Sequence, residues 1–174
     1  ADAQITEITC HAKGVSFMHY DAKTIIDIGG QDAKVIKMDS NGRVANFVMN
    51  EKCAAGTGRF LEVMARVLGC QLSELSDLAM TSDKDVPISS VCTVFAESEV
   101  ISCLSSGESR NNVARGAHNA VARRVAGMYS RVNGEPPVVM TGGVALNADM
   151  VASLSKELKT QITPLKYCQG AGAI

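Results

Sequence analysis

The sequence has 174 residues, which is enough for one domain with a sizeable core or for two small ones. Apolar residues make up 46% of it and charged residues 20%, a balance that is typical of a globular protein. The formal net charge of −1 gives no indication of a nucleic-acid or anionic-membrane partner.

The apolar runs, of which PPVVM is an example, are too short to span a bilayer, and the N-terminus lacks the pattern of a signal peptide. We therefore expect a cytoplasmic protein. Its six cysteines are expected to be free thiols, because disulfides are unusual in a reducing compartment. No CxxC pair occurs, so any metal site must gather its ligands from distant segments or from two chains. The cysteines are Cys10, Cys53, Cys70, Cys92, Cys103 and Cys168.

An amphipathic segment opens the chain, and three strand-like runs follow it. KTIIDIG is a β-branched run that ends in glycines, and AKVIKMD and RVANFVM flank the turn Ser40 to Gly42. Two alternating runs around Asn-Gly predict a hairpin, so we expect three consecutive antiparallel strands.

Helices and further strands alternate after residue 55. One helix carries Phe60, Met64 and Val67 on one face and ends at Gly69, and a shorter helix covers LSELSDLAM with Ser73 as its N-cap. VPISSVCTVFA is predicted as a buried strand and its exit, and ESEVISCLSSG as a short helix. The longest helix, NNVARGAHNAVARRVAGMYSRV, precedes the strand PPVVM, a glycine turn, a helix, and a last strand TQITPL at a sheet edge.

The predicted order β-β-β-α-β-α-β-α corresponds to a mixed sheet flanked by helices. It is the repeating half of the actin, sugar-kinase and Hsp70 ATPase architecture, an α/β fold of the ribonuclease H-like kind. Both ends of the sequence look cut, so we expect the fold to be truncated at both ends. Residues 1–22 are interpreted as a helical remnant of a preceding half, and residues 23–174 as the actin-like half.

The segment IDIGGQD places a carboxylate at a strand end and glycines in the turn behind it. Gly29 and Gly30 would let backbone N–H groups approach a phosphate, and Asp27 could hold Mg²⁺ through water. Gln31 and Asp32 could orient an attacking water. The alternative is an ordinary hairpin bend with a solvated Asp27.

Two more glycine turns open helices. MTGGVALN repeats the strand–glycine–helix pattern with Gly142, Gly143 and Val144, and such turns let a flat ring or a phosphate lie against bare backbone. CAAGTGRF does so with Gly56, Thr57 and Gly58. Each turn alone is common in α/β proteins, but IDIGGQD and MTGGVALN together, with matching spacing, suggest a nucleotide clamped between them.

Cys53 precedes the helix that starts in AAGTG, where the partial positive charge favours a thiolate and any anion bound there. Its neighbours do not look like core, so a reactive or ligating thiol is favoured over a structural one. Cys92 follows a predicted buried strand, where a structural role is the stronger alternative. Two ligands per chain are too few for a four-thiolate cluster, but a symmetric dimer would supply four.

The remaining cysteines are expected to be structural. The three histidines show no pairing at ligand spacing, and His118 is interpreted as a solvated residue of the long helix. Glu97 and Glu99 resemble an acid pair, although two carboxylates in the first turn of a helix are favourable in themselves.

Four segments together resemble the activator ATPases of 2-hydroxyacyl-CoA dehydratases, and the ATPase subunits of benzoyl-CoA reductase share the pattern. The segments are TIIDIGGQDAKVI, NEKCAAGTGRFLEVMA, SSVCTVFAESEVISCLS and VVMTGGVALN. The resemblance implies an actin-like ATPase that works as a homodimer sharing one [4Fe–4S] cluster, with Cys53 and Cys92 at the matching ligand positions. It also implies that one electron is accepted from ferredoxin or flavodoxin and passed to a partner dehydratase, with ATP hydrolysis driving the transfer.

The sequence departs from that family at its ends. The phosphate-binding hairpin of the GIDxGST kind and the helix after QGAGAI are missing, so we expect weak or no ATPase activity from this chain alone. Two other functions stay open from the residues themselves. One is a small-molecule kinase of the actin-like superfamily, and the other is a non-enzymatic actin-like assembly module with inert cysteines.

Overall fold

The computed structural model describes residues 5–89 and 92–173. Its helices are α1 (Glu7–Met18), α2 (Gly58–Val67), α3 (Leu75–Met80), α4 (Thr93–Ser105), α5 (Arg110–Arg131) and α6 (Ala148–Leu158). Its strands are β1 (Thr24–Ile28), β2 (Ala33–Met38), β3 (Val44–Asn50), β4 (Val138–Thr141) and β5 (Ile162–Pro164).

The five strands form one mixed sheet in the order β3-β2-β1-β4-β5. The first three strands are antiparallel neighbours as predicted, while β4 and β5 run parallel to β1. Every residue of β1 is buried, since this strand lies at the centre of the sheet. The parallel register pairs Asp27 with Thr141, so β1 and β4 end side by side at the same edge.

Helices cover both faces of the sheet. Side chains alternate between faces along a strand. Lys34 and Met38 of β2 contact α1, whereas Lys37, on the other face, donates to the carbonyl of Asn133 just after α5. The interior between these layers is one continuous apolar cluster. Its largest members include Ile25, Ile26, Ile36, Phe60, Met64, Met140 and Leu154.

Turn and edge residues confirm several of the local predictions. Gly42 closes the β2–β3 hairpin with φ +69°, and Gly69 follows α2 with φ +64°. Pro164 lies in β5 at the edge of the sheet, where a missing N–H breaks no ladder. None of the helices in the described part of the chain is both long enough and apolar enough to cross a membrane.

Two local predictions are wrong. The predicted strand over residues 86–96 is absent among its described residues, because the Ile88 carbonyl bonds to Arg123 of α5, the Ser89 N–H bonds to Glu99 of α4, and α4 begins at Thr93. Ser90 and Val91 of that prediction lie outside the described residues. Ser73 is not an N-cap, because it lies inside a short 3₁₀ turn, Leu72–Glu74, that precedes α3. The N-cap of that turn is Gln71, which forms a reciprocal capping box with Glu74.

Candidate functional site

A cleft of about 680 Å³ lies at the sheet edge where β1 and β4 end. The structure brings Gly29 and Gly30 of the first glycine turn, Gly58 at the start of α2, and Gly143 and Val144 of the last turn to this cleft. Three glycine segments that are far apart in sequence therefore line one space. Its far wall includes Leu72, Ser73, Ser76, Leu146, Asn147 and Gln169.

The first turn of α2 is built against the β1 turn. The Gly58 N–H donates to the Gly29 carbonyl at 2.8 Å, and the Arg59 N–H donates to the Gly30 carbonyl at 2.7 Å. A Cβ on Gly58 would lie 3.0 Å from the Gly29 oxygen, which is tighter than most real contacts, so a side chain here would push the two turns apart by a few tenths of an ångström. These two N–H groups of α2 are therefore already used inside the protein.

Gly142 brings the β4 turn against β1 in the same way. Its φ is +82°, and an added Cβ would stand 2.2 Å from the carbonyl oxygen of Ile28. Gly142 lines an adjoining cleft of about 400 Å³ that also contains Asp27 and Asp32. Gly29 and Gly143 line both spaces, so the two clefts are continuous around the glycine turns.

A charged cluster fills the floor of the smaller cleft. The Lys34 ammonium lies 2.8 Å from Asp32 Oδ2, 2.7 Å from Glu7 Oε1 and 3.7 Å from Asp27 Oδ2. Burial by itself lowers the pKa of Lys34, but its hydrogen bonds to Asp32 and Glu7 and the charge of Asp27 outweigh burial and raise the pKa above its ordinary value. Lys34 is thus a fixed positive charge among three carboxylates.

A hydrogen-bond chain orients Asp27 from the other side. The Thr141 hydroxyl donates to Asp27 Oδ1 at 2.8 Å, and His11 Nε2 lies 2.7 Å from the same hydroxyl. Because the hydroxyl proton is given to Asp27, His11 Nε2 carries the proton that the Thr141 oxygen accepts. All three residues are buried, so the Asp27 carboxylate is held by direct contacts rather than by solvent.

Some predicted nucleotide residues lie away from these clefts. Gln31 is exposed and lines neither cleft, and the Thr57 hydroxyl is buried and donates to the Ala54 carbonyl at 2.6 Å. Gly56 has φ +88° and faces Arg124, whose Cγ would be 2.8 Å from an added Cβ. Gly56 therefore belongs to the neighbourhood of Cys53 rather than to the lining of the larger cleft.

The segments that carry Cys53 and Cys92 border one small cavity of about 190 Å³. Ala55 and Gly56, just after Cys53, line it on one side. Ile88 and Ser89, four and three residues before Cys92, line it on another, and Arg123 and Arg124 of α5 are also in the wall, whereas neither cysteine lines the cavity itself. Both thiols are free, Cys53 is half-buried and Cys92 is exposed.

Cys92 is the N-cap residue of α4, not the end of a strand as the sequence predicted. Cys53 lies in a loop closed by Asn50, whose amide donates to the Cys53 and Ala55 carbonyls at 2.8 and 2.9 Å. Over residues 5–89 and 92–173, no group of three or more His, Cys, Asp or Glu side chains is placed to hold a metal ion. Two thiols from one chain are therefore at most half of a four-thiolate site.

Of the other cysteines, Cys10, Cys70 and Cys103 are half-buried like Cys53. Burial raises the pKa of the Cys70 thiol above its ordinary value. Burial, reinforced by the charges of Glu99 and Glu108, does the same for Cys103. Cys168 is buried in the core. These features fit the structural roles expected for them.

His118 is completely buried, so its interpretation as a solvated residue is wrong. Its Nδ1 lies 2.5 Å from Asp149 Oδ2, and its Nε2 accepts from the Asn147 amide at 3.1 Å. Arg115 also reaches Asp149, at 2.8 Å. Helix α5 is thereby bonded to the start of α6, next to the Gly143–Asn147 wall of the larger cleft.

Sequence reasoning missed His11, Lys34 and Thr141, which surround Asp27. A lysine inside the apolar run AKVIKM was an available signal, because a buried lysine needs a carboxylate partner. No comparable signal identifies His11, which reaches Thr141 from 130 residues away.

Comparison with known proteins supplies the family. The model of the BadF/BadG/BcrA/BcrD ATPase family matches residues 1–174. The chain is 56% identical over its whole length to the activator of lactoyl-CoA dehydratase from Anaerotignum propionicum, covering 67% of that protein. It is 51% identical over its whole length to the 2-hydroxyisocaproyl-CoA dehydratase activator from Clostridioides difficile, covering 65%.

A solved structure agrees with these relatives. The activator of the 2-hydroxyisocaproyl-CoA dehydratase from Clostridium difficile with bound ADPNP superimposes with a TM-score of 0.94 at 51% identity. The match covers 99% of this chain and 65% of that one, so the chain spans about two thirds of the length of these relatives. The expected actin-like fold and the stated resemblance are confirmed. The chain belongs to the BadF/BadG/BcrA/BcrD ATPase family.

Proposed function

We propose that the protein is the ATP-hydrolysing activator of a 2-hydroxyacyl-CoA dehydratase and transfers one electron to it from ferredoxin or flavodoxin. The working form is a homodimer, cytoplasmic and suited to anaerobic metabolism. The observation that carries this proposal is the meeting of the Cys53 and Cys92 segments at one cavity. The names of the relatives, which are dehydratase activators, supply the partner class.

The cysteine pair fits half of a [4Fe–4S] site. A cluster of this kind takes four thiolates, and each chain offers two thiols on segments that border the same cavity. A second copy related by a twofold axis would bring the other two. When bound, the cluster would supply a one-electron carrier, held by Cys53 and Cys92 of each chain.

The helix that follows Cys92 supports a twofold partner. Val94 and Phe95 of α4 are each 67% exposed, and Ile101 is 50% exposed. Exposed apolar side chains on one helix favour a protein interface over open solvent. Because this surface begins next to Cys92, a second copy seated on it would approach with its own cysteines.

The cleft at the ends of β1 and β4 fits ATP and Mg²⁺. Gly29, Gly30, Gly58 and Gly143 present bare backbone to a space large enough for a nucleotide, and Val144 lines the same space. Asp27, fixed by Thr141 and faced by Lys34, would hold Mg²⁺ through water. These residues bind and orient the phosphates.

Hydrolysis requires a water placed in line with the γ-phosphorus. The water attacks, the bond to the β–γ bridging oxygen breaks, and ADP and phosphate leave. Asp32 and Gln31 are the side chains proposed to orient that water. Asp32 is anchored at 2.8 Å to Lys34, while Gln31 is exposed on the turn and free to reach a bound nucleotide.

Hydrolysis can drive electron transfer only if ATP and ADP favour different arrangements of the dimer. A ligand shifts a conformational equilibrium by no more than its difference in affinity for the two states. Because α2 begins at the nucleotide cleft and follows the Cys53 loop, a change in the cleft would reach Cys53, which lies five residues before Gly58.

Iron and sulfide analysis of the anaerobically purified protein tests this proposal. We expect about four irons and four sulfides per dimer. Cys53→Ser and Cys92→Ser should each lose the iron, while Cys70→Ser, the matched control, should keep it. Protein without iron after anaerobic reconstitution, or a Cys53→Ser variant with full iron content, would refute the proposed function.

A further inference from the structure

The segment of residues 83–89, which leads to Cys92, is held along one face of α5. Its backbone makes no sheet pairing. The Asp83 N–H donates to Asn112 Oδ1 at 3.1 Å, and the Asn119 amide donates to Asp85 Oδ1 at 3.2 Å. Side chains of α5 thus take one backbone N–H and one side chain at the start of this segment, while at its end the Ser89 N–H donates to Glu99 of α4 at 3.0 Å.

The same face continues toward Cys92. A Cβ on Gly116 would stand 2.1 Å from the Val86 carbonyl oxygen, so backbone touches backbone at this point. Four residues before Cys92, the Ile88 carbonyl accepts from Arg123 Nη2 at 2.8 Å. The contact residues of α5 are 112, 116, 119 and 123, a spacing of three and four that places them on one side of a helix.

The next residue of α5 contacts the other cysteine segment. Arg124 packs against Gly56, three residues after Cys53, closely enough that a Cβ there would lie 2.8 Å from its Cγ. The guanidinium of Arg124 has no ion pair or hydrogen bond with the part of the chain that the structure describes. Arg124 is half-buried and lines the small cavity together with Arg123.

Adjacent arginines of one rigid helix therefore touch the two cysteine segments, one each. We propose that Arg123 and Arg124 are positioning residues that fix the distance between the Cys53 and Cys92 thiols. This inference rests on the proposed function, because a shared cluster is what makes that distance matter. Ligands of a metal centre must be held close to their productive geometry, and Arg123 supplies such support by a charge-assisted bond to backbone.

A cross-linking measurement on the metal-free chain tests the inference without a cluster. In a background with Cys10, Cys70 and Cys103 changed to serine, the short bifunctional reagent dibromobimane would join Cys53 to Cys92 within one chain. The buried Cys168 stays in place. The rate of this intramolecular step reports how often the two thiols come together, and a monofunctional maleimide reports the reactivity of each thiol separately.

Arg123→Gln, whose side chain is too short to reach the Ile88 carbonyl, should slow intramolecular cross-linking about fivefold while maleimide rates stay unchanged. Arg124→Ala should slow it to a smaller extent, because it removes packing on Gly56. Arg123→Lys, which keeps a donor, should retain most of the parent rate. Arg131→Gln, at the exposed end of α5, is the matched control and should cross-link like the parent.

Equal rates for the parent, Arg123→Gln and Arg124→Ala would overturn the inference. A parent chain that forms no intramolecular product would overturn it as well, since the two thiols would then not be held near each other. Neither result depends on iron, so the analysis of iron and sulfide in the dimer judges the proposed function separately. Arg123 is exposed apart from its bond to Ile88, and Arg123→Gln should therefore remain folded.

Discussion

Replacing Lys34 by methionine tests whether the charged cluster around Asp27 is a supporting element of the cleft. The lysine side chain is only 5% exposed, and it faces Glu7, Asp27 and Asp32. Methionine fills a similar volume but leaves the carboxylates without their counter-charge. Removing one partner of a buried ion pair costs about 3–5 kcal/mol.

The lower end of that range applies to Lys34. Asp27 is 9% exposed at its side chain, but Asp32 is 34% and Glu7 73% exposed, so water compensates part of the loss. We expect the free energy of unfolding to fall by about 3 kcal/mol. For a chain of this size that corresponds to a decrease in Tm of about 6–12 °C.

Urea and thermal unfolding at pH 7 measure this change. Lys37→Met is the matched control, because Lys37 lies on the same strand but pairs at the surface with Glu135. The control should lose no more than about 1 kcal/mol. Equal losses for the two variants would refute the view that Lys34 stabilises the cleft by pairing buried charge.

The pH dependence of the Lys34→Met effect has a definite sign. The pKa of Lys34 is raised in the folded protein above the ordinary 10.5 of the unfolded chain. A raised pKa contributes stability that is complete below the unfolded pKa and is lost as the pH rises through the folded pKa. The difference in stability between parent and variant should therefore stay constant from about pH 7 to pH 9.

Three further variants test other parts of the structure. Gly142→Ala should lower the free energy of unfolding by more than the ~1–2 kcal/mol that a positive φ costs an alanine, because its Cβ would meet the Ile28 carbonyl. Gly107→Ala is the control, since Gly107 also has a positive φ but faces open space, and it should show only that backbone cost in urea unfolding. His118→Leu should cost about 2 kcal/mol in the same assay, because it leaves the buried Asp149 without one hydrogen-bond partner. Thr141→Val keeps the shape of the strand but releases Asp27, so Mg²⁺-dependent ATP binding measured by calorimetry should weaken about tenfold, and unchanged affinity would contradict the role given to Thr141.

The sheet could be predicted from the sequence because its signals are local. Alternation around Asn41-Gly42 predicts the β2–β3 hairpin, and the glycines after Ile28 and Thr141 predict the turns that line the larger cleft. The strand–helix alternation predicts a mixed sheet but not which strands pair, and the parallel pairing of β1 with β4 is seen only in the structure.

The surroundings of Asp27 could not be predicted in the same way. The contact of Asp27 with Thr141 depends on the register between strands that are 114 residues apart, and no local pattern encodes that register. His118 is misleading for a related reason. Arginines and asparagines surround it in sequence, yet it is buried because Asp149 and Asn147 satisfy both ring nitrogens.

The predicted strand before Cys92 failed because its apolar pattern has another cause. Val86 and Ile88 are buried against α5, as they would be in a sheet, but the backbone bonds to side chains of α5. Apolar residues at every second position indicate that one face of the segment is buried, but they do not identify which element covers that face.

The central claim is that two chains contribute Cys53 and Cys92 to a single cluster, and native mass spectrometry of the anaerobic protein measures this most directly. We expect a dimer heavier than two bare chains by one cluster of four irons and four sulfides, and complete loss of that added mass in Cys92→Ser. A monomer that carries iron, or a dimer of Cys92→Ser that retains the added mass, would contradict it.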